Sequence, residues 1–93
     1  MSPTYVCGEW FHEFSDEPCC IYSELDDGRY ETRKIEVFKD GTTTRASTED
    51  LKRDPMALAD QPIPFVEEVN AYPEFHMEQI SAAEFEDLWK SAG

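Results

Sequence analysis

The run YSELDDGRYETRKIEVFKDG, residues 22–41, decides the fold. It is bracketed by two turn signals, Asp26-Asp27-Gly28 and Asp40-Gly41. An Asp-Gly pair tolerates the backbone of a tight hairpin, and between hydrophobic runs it marks one. Between the turns, Ile35 and Val37 fall on one parity and Tyr30 and Phe38 on the other, so residues 30–39 read as a strand. Upstream, Cys19 to Leu25 reads as a second strand. The turn signal Ser15-Asp16-Glu17-Pro18 separates it from an aromatic-rich strand over 5–14, with Val6, Trp10 and Phe14 on one parity. Downstream, Thr42 to Ala46 is a short polar edge strand. Strands joined by three successive turns form an antiparallel meander.

The second half is mixed. Ser47-Thr48-Glu49-Asp50 is suited to cap a short helix that Pro55 would end. Gln61 to Pro64 reads as extended, and Pro64 as the start of a short helix through Val69 that Tyr72-Pro73 breaks. Glu74 to Ile80 is a last extended segment. The clearest helix spans 82–91. Ser81 and Glu84 form a capping box, Ile80 and Phe85 a hydrophobic staple, and Phe85, Leu88 and Trp89 one apolar stripe. The expectation is a single α+β domain over residues 1–93. It has a four- to five-stranded antiparallel sheet (a β-meander) with the C-terminal helix packed on one face.

At 93 residues, 40% hydrophobic and 13% aromatic, the chain is long enough for one modest core and too aromatic for disorder. No apolar run approaches the roughly 20 residues of a membrane span. Met1 to Tyr5 lacks the basic and apolar regions of a signal peptide, so a cytoplasmic protein is expected. The formal charge of −13 is uneven. Residues 1–28 hold seven acids and no base, 29–53 seven bases against five acids, and 54–93 nine acids and Lys90 alone. Such a field repels nucleic acid and anionic membranes, and it steers in a basic protein. Acidity of this kind also serves plain solubility.

Little marks catalysis or metal binding. Cys7, Cys19 and Cys20 are odd in number, and no C-x-x-C pair occurs. Adjacent strand residues face opposite ways, so Cys19 and Cys20 do not share a metal, nor do Cys7 and His12. The cysteines read as small buried hydrophobes. His76-Met77-Glu78 matches half of the zinc deaminase signature, but the P-C-x-x-C half is missing. The acidic pairs match no Ca²⁺ loop, and four glycines build no phosphate cradle. No cofactor, metal or catalytic residue is expected, and the protein is read as non-enzymatic. Trp10, Phe11, Tyr22, Tyr72 and Phe75 lie near acids in the sequence and are candidate interface anchors.

Several stretches together carry a resemblance: Trp10 to Phe14, Asp16-Glu17-Pro18, Tyr22 to Asp26, Arg29 to Glu36 with Asp40-Gly41, Pro62 to Pro64, Glu67 to Asn70, Pro73 to Phe75, and Ile80 through Trp89. They resemble a family of small bacterial domains of unknown function, over about residues 5–90. Residues 48–60 depart from the pattern. The resemblance implies no established activity. Small stand-alone domains of this kind are associated with immunity proteins of toxin systems, and that role is what the resemblance implies.

The leading expectation is an acidic binding protein, monomeric or weakly dimeric, that occludes a basic protein partner such as a toxin or nucleic-acid-binding protein. Direct contact with nucleic acid or membrane is not expected. The candidate partner-binding residues are Asp16, Glu17, Glu24, Asp26 and Asp27, the acids of the first two turns and the strand between them. Three alternatives stand beside it. One is a viral or mobile-element inhibitor that mimics nucleic acid, which the basic stretch 29–53 interrupts. Another is a small ligand-binding domain or enzyme with its site near His12, Tyr22 and Arg33. The last is self-association through the edge strand 42–46.

Overall fold

The structure, a computed structural model, describes residues 3–13, 17–48, 58 and 61–92. It is an α+β domain. Strands β1 (Thr4–Trp10), β2 (Cys20–Leu25), β3 (Glu31–Val37) and β4 (Thr43–Ser47) run as a meander. The short helix α1 (Val66–Val69), strand β5 (Phe75–Ile80) and helix α2 (Ala82–Ser91) follow. The five-stranded sheet has the order β4-β3-β2-β1-β5, with every neighbouring pair antiparallel. β5 therefore leaves the meander. The chain crosses from the β4 edge to the opposite edge, and of the described residues between them Leu58, Ile63, Pro64 and α1 lie over one face of the sheet.

β1 ends at Trp10, earlier than the sequence pattern suggests. The Phe11 amide still donates to the Glu74 carbonyl, and the His12 ring then bonds the Pro18 carbonyl at 2.8 Å, turning the chain back toward β2. Phe14, Asp16 and the short helix expected before Pro55 lie outside the described residues.

Each face of the sheet carries its own layer. On one face Tyr5, Tyr22, Ile35, Val37 and Ile80 pack against α2, whose Phe85 is fully buried. Ser81 caps α2 by accepting from the Glu84 amide, as the capping box requires. On the other face Val6 and Leu25 are buried, and Ser23, Ile21 and Met77 share that side by register. This face is covered by the segment carrying Leu58, Ile63, Pro64 and α1.

A register shift between Glu24 and Leu25 in the β2–β3 ladder sets the second face. Thr32 is the extra residue, and its hydroxyl bonds the Glu24 carboxylate at 2.7 Å. Strict alternation would put Glu31 beside Arg33 and Ile35 under the helix. The bulge turns it to the other face, opposite Leu25.

Candidate functional site

Under the covering segment the sheet leaves a cleft of about 960 Å³. Its floor comes from β1, β2 and β5: Gly8, Ile21, Ser23 and Met77. Trp10, Tyr72 and Phe75 stand at one end. Glu31 and Lys34 of β3 and Glu68 of α1 bring charge to it. The Ser23 hydroxyl donates to the Glu31 carboxylate at 2.6 Å, and both residues are buried. The Lys34 ammonium stands 3.7 Å from Glu36. A Cβ built on Gly8 would meet no described atom closer than Met77 Cε, at 3.6 Å. Glycine in a strand interior costs roughly 0.5–1 kcal/mol against alanine, so its presence here keeps the cleft floor low rather than relieving a clash.

Two side-chain clamps hold the cover in place. At the β2–β3 turn the Asp26 carboxylate accepts from the Gly28 and Tyr30 amides, both at 2.9 Å. The positive φ of this turn, 67°, falls on Arg29 rather than on Gly28. A non-glycine residue there costs on the order of 1 kcal/mol. Contacts across the fold offset that cost. The Arg29 guanidinium donates to the Ile63 and Pro64 carbonyls at 2.8 and 2.9 Å and lies over the Phe65 ring, while the Arg29 carbonyl accepts from the Ile63 amide. The second clamp is Asn70, just after α1. Its side-chain amide donates to the Met77 carbonyl at 3.0 Å and accepts from the Met77 amide at 2.7 Å.

Beside the cleft lies an aromatic cluster. Trp10 stacks with Phe75, ring centroids 6.2 Å apart, and packs against His12. Phe11, Tyr72 and Phe75 are exposed, the first two by more than half. Residues 61–80, which form α1, the loop after it and β5, contain Glu67, Glu68, Glu74 and Glu78 and no Lys or Arg. The bases Arg33, Lys34 and Arg45 sit on β3 and β4, toward the opposite edge. The charge asymmetry along the sequence thus becomes an asymmetry across the sheet.

The predicted partner-binding acids are dispersed. Glu17 is exposed in the β1–β2 connection, Asp26 and Asp27 in the β2–β3 turn. These turns lie at opposite ends of β2, about 17 Å apart at about 3.4 Å per residue. Asp26 is engaged in its own turn, and Asp27 stands outward. Glu24 is under the α2 side, where Arg33 grips it with Nε at 2.9 Å and Nη2 at 2.6 Å and also bonds Glu86. That guanidinium holds the Glu24 carboxyl down at about 2, with Thr32 and Tyr5 adding hydrogen bonds. Asp16 lies outside the described residues.

Tyr22 and Arg33 face α2, and His12 follows β1, so none of the three lines the cleft. Burial pushes the Cys20 thiol up to about 11, with Cys19 adding to it, and burial also raises Cys7. Both are protonated at neutral pH and are poor nucleophiles there. Among the described residues no three His, Cys, Asp or Glu side chains are placed to hold a metal ion. No described helix is long and apolar enough to cross a membrane.

Sequence reasoning named Trp10, Phe11, Tyr72 and Phe75 as anchors but missed Glu31, Ser23 and Gly8. The one available signal was Gly8, a glycine inside an aromatic strand.

Fold and cleft together define a small α+β sheet domain whose second face, among the described residues, carries a cleft. The chain belongs to the family described as Domain of unknown function (DUF6881), which matches residues 4–93. No curated protein and no solved structure matches it.

Proposed function

We propose that this protein is a non-enzymatic, bacterial and cytoplasmic binding protein that masks a basic protein partner, acting as an immunity protein toward a toxin. The observation that carries the reading is the joining of exposed aromatics to acids. Phe11, Tyr72 and Phe75 are 58%, 59% and 38% exposed, and they adjoin a stretch with four acids and no Lys or Arg. Aromatic anchors ringed by charge are the composition of an interaction hot spot. The acids set the rate of encounter and the rings its lifetime. The protein acts as a monomer or weak dimer.

This reading places the contact at the β1–β5 end of the sheet, with Glu17 as a flanking acid. Asp27, at the far turn, contributes only long-range attraction. The test is capture of a basic partner by tagged protein, at low and at high salt, followed by affinity measurement on that partner. Tyr72→Ala and Phe11→Ala are expected to weaken binding at least tenfold each. Glu74→Lys should slow association at low salt more than at high salt, because salt screens the field. Asp27→Lys should do so by less. A partner bound equally well by the Tyr72, Phe11 and Glu74 variants would overturn the assignment of this surface. Retention of nucleic acid alone would overturn the reading as a whole.

A further inference from the structure

Strand β5 ends the sheet, and it is open to solvent: Phe75, His76, Glu78 and Gln79 are exposed and Met77 is half-buried. In an antiparallel edge strand, alternate residues turn both backbone polar groups away from the neighbouring strand. Met77 is one of these, because the Asn70 side chain bonds its amide at 2.7 Å and its carbonyl at 3.0 Å from outside the sheet. Phe75 and Gln79, two residues either way, share that orientation. The Phe75 amide is taken by the Tyr72 carbonyl, whereas no described residue bonds the outward N–H and C=O of Gln79. At Met77 the edge already pairs with an amide group, supplied by an exposed side chain in the place of a backbone.

Charge separates this edge from the opposite one. Cys7 pairs with Glu78 on the α2 side of the sheet, and the carboxylates of Glu9, Glu78 and Glu84 all act on its thiol. His76 bonds Glu78 at 3.0 Å. Phe75 and Met77 lie on the other side, opposite Trp10 and Gly8. The far edge, β4, carries Arg45 instead.

We propose that the outer edge of β5 takes up an extended segment of the basic protein partner as an added strand, whose backbone displaces the Asn70 amide from Met77 and continues to Gln79. Its Lys or Arg side chains project on the α2 side, toward Glu78, Glu9 and Glu84, and the alternate apolar ones lie beside Phe75 and Met77. The proposal rests on the reading above and deepens it, by naming the form in which the partner docks. A second copy of this chain is disfavoured there, because it brings Glu74 and Glu78 of both copies together at a formal charge of −13 each.

The test uses the full ¹⁵N-labelled chain and a capped peptide that alternates valine and arginine. Saturable shifts of the Met77 and Gln79 amides are expected, with slower hydrogen exchange at Gln79. The same peptide methylated on its backbone nitrogens keeps its charge and loses its donors, so it should bind at least tenfold more weakly. Glutamate in place of arginine should weaken binding at least tenfold at low salt. Asn70→Ala vacates the Met77 position and should tighten the peptide at least threefold. Gln79→Pro removes only an outward donor, which an edge strand tolerates, and should weaken the peptide at least tenfold with little change in Tm. The peptide comparisons on the parent chain stand whether or not that variant folds. Equal binding of the methylated peptide, equal or tighter binding of the glutamate peptide, or no saturable shift at Gln79 would overturn the added strand. Unchanged affinity of Asn70→Ala would overturn the displacement at Met77. Gln79 shifts produced by raising the protein concentration alone would give the edge to a second copy and overturn the partner strand. Failure of the partner reading has a separate signature, the absence of a retained basic protein, and leaves these titrations interpretable.

Discussion

The two faces of the sheet are built from the same strands and differ in how they are closed. Under α2 the closure is continuous: Phe85, Ile35 and Ala92 are buried together, and Trp89 stacks on Phe85 with centroids 6.2 Å apart. Even the charge there is packed, since Arg33 is gripped by Glu24 and Glu86 between two rings. On the other face an extended segment and a four-residue helix are tied down at Arg29 and Asn70, and a cleft remains beneath them. A regular helix closes a sheet through many interchangeable apolar contacts. A clamped loop closes it through a few polar ones and leaves room. The first arrangement carries stability, and the second leaves the surface for which we propose recognition.

That division can be broken by mutation. Phe85→Ala should cost about 3–5 kcal/mol and threaten folding outright, whereas Tyr72→Ala across the sheet should stay within about 1 kcal/mol. Thermal melts of the two variants decide it, and equal losses would erase the distinction.

The next effect is electrostatic. The Glu24 carboxyl is held at about 2 in the folded chain, below its ordinary 4.5, chiefly by Arg33. A depressed carboxylate stabilises the fold above its ordinary value and loses that contribution as pH falls toward the folded value. Glu24→Gln should therefore cost roughly 2 kcal/mol at pH 7. It should also flatten the stability profile between about pH 5 and pH 2. A profile as steep as that of the parent chain would show that the α2 face does not depend on this pair.

Arg29→Gly should give the smallest change in stability and the sharpest contrast. Glycine relieves the positive φ and keeps the backbone bond from the Ile63 amide, while the guanidinium ties to the Ile63 and Pro64 carbonyls vanish, so net stability should shift by less than about 1 kcal/mol. The cover alone should loosen, with amide hydrogen exchange at Ile63 rising at least tenfold while that of Ile35 stays constant. Protection unchanged at Ile63 would mean the cover is held by something other than its clamps.

How much of this was legible follows the same division. The meander, β5 and α2 rest on local signals: Asp-Gly turns, alternation, the Ser81 cap and the Phe85 stripe. The α+β fold followed from them. The cleft rests on contacts between residues far apart in the chain, such as Arg29 with Ile63 and Asn70 with Met77, and on the bulge at Thr32 that re-aims Glu31. No local pattern announces a bulge, and alternation read through it puts Glu31 on the wrong face. The same holds for Glu24, which composition presents as one more surface acid and the fold commits to Arg33. Trp10, Phe11, Tyr72 and Phe75 were legible as residue types. Their gathering depended on β5 returning to the β1 side.

The Asn70 clamp has one more consequence, and it concerns time. Its amide group stands at the outer edge of β5 like a one-residue strand, filling the positions another chain would take. Deamidation would replace the Nδ2 donor with an oxygen facing the Met77 carbonyl. The pairing would turn from attraction to repulsion, and the strand edge would open to its neighbours. In a chain this acidic the added charge is minor; the lost stopper is not. The edge of β5 at Met77 is therefore closed by a single side-chain amide.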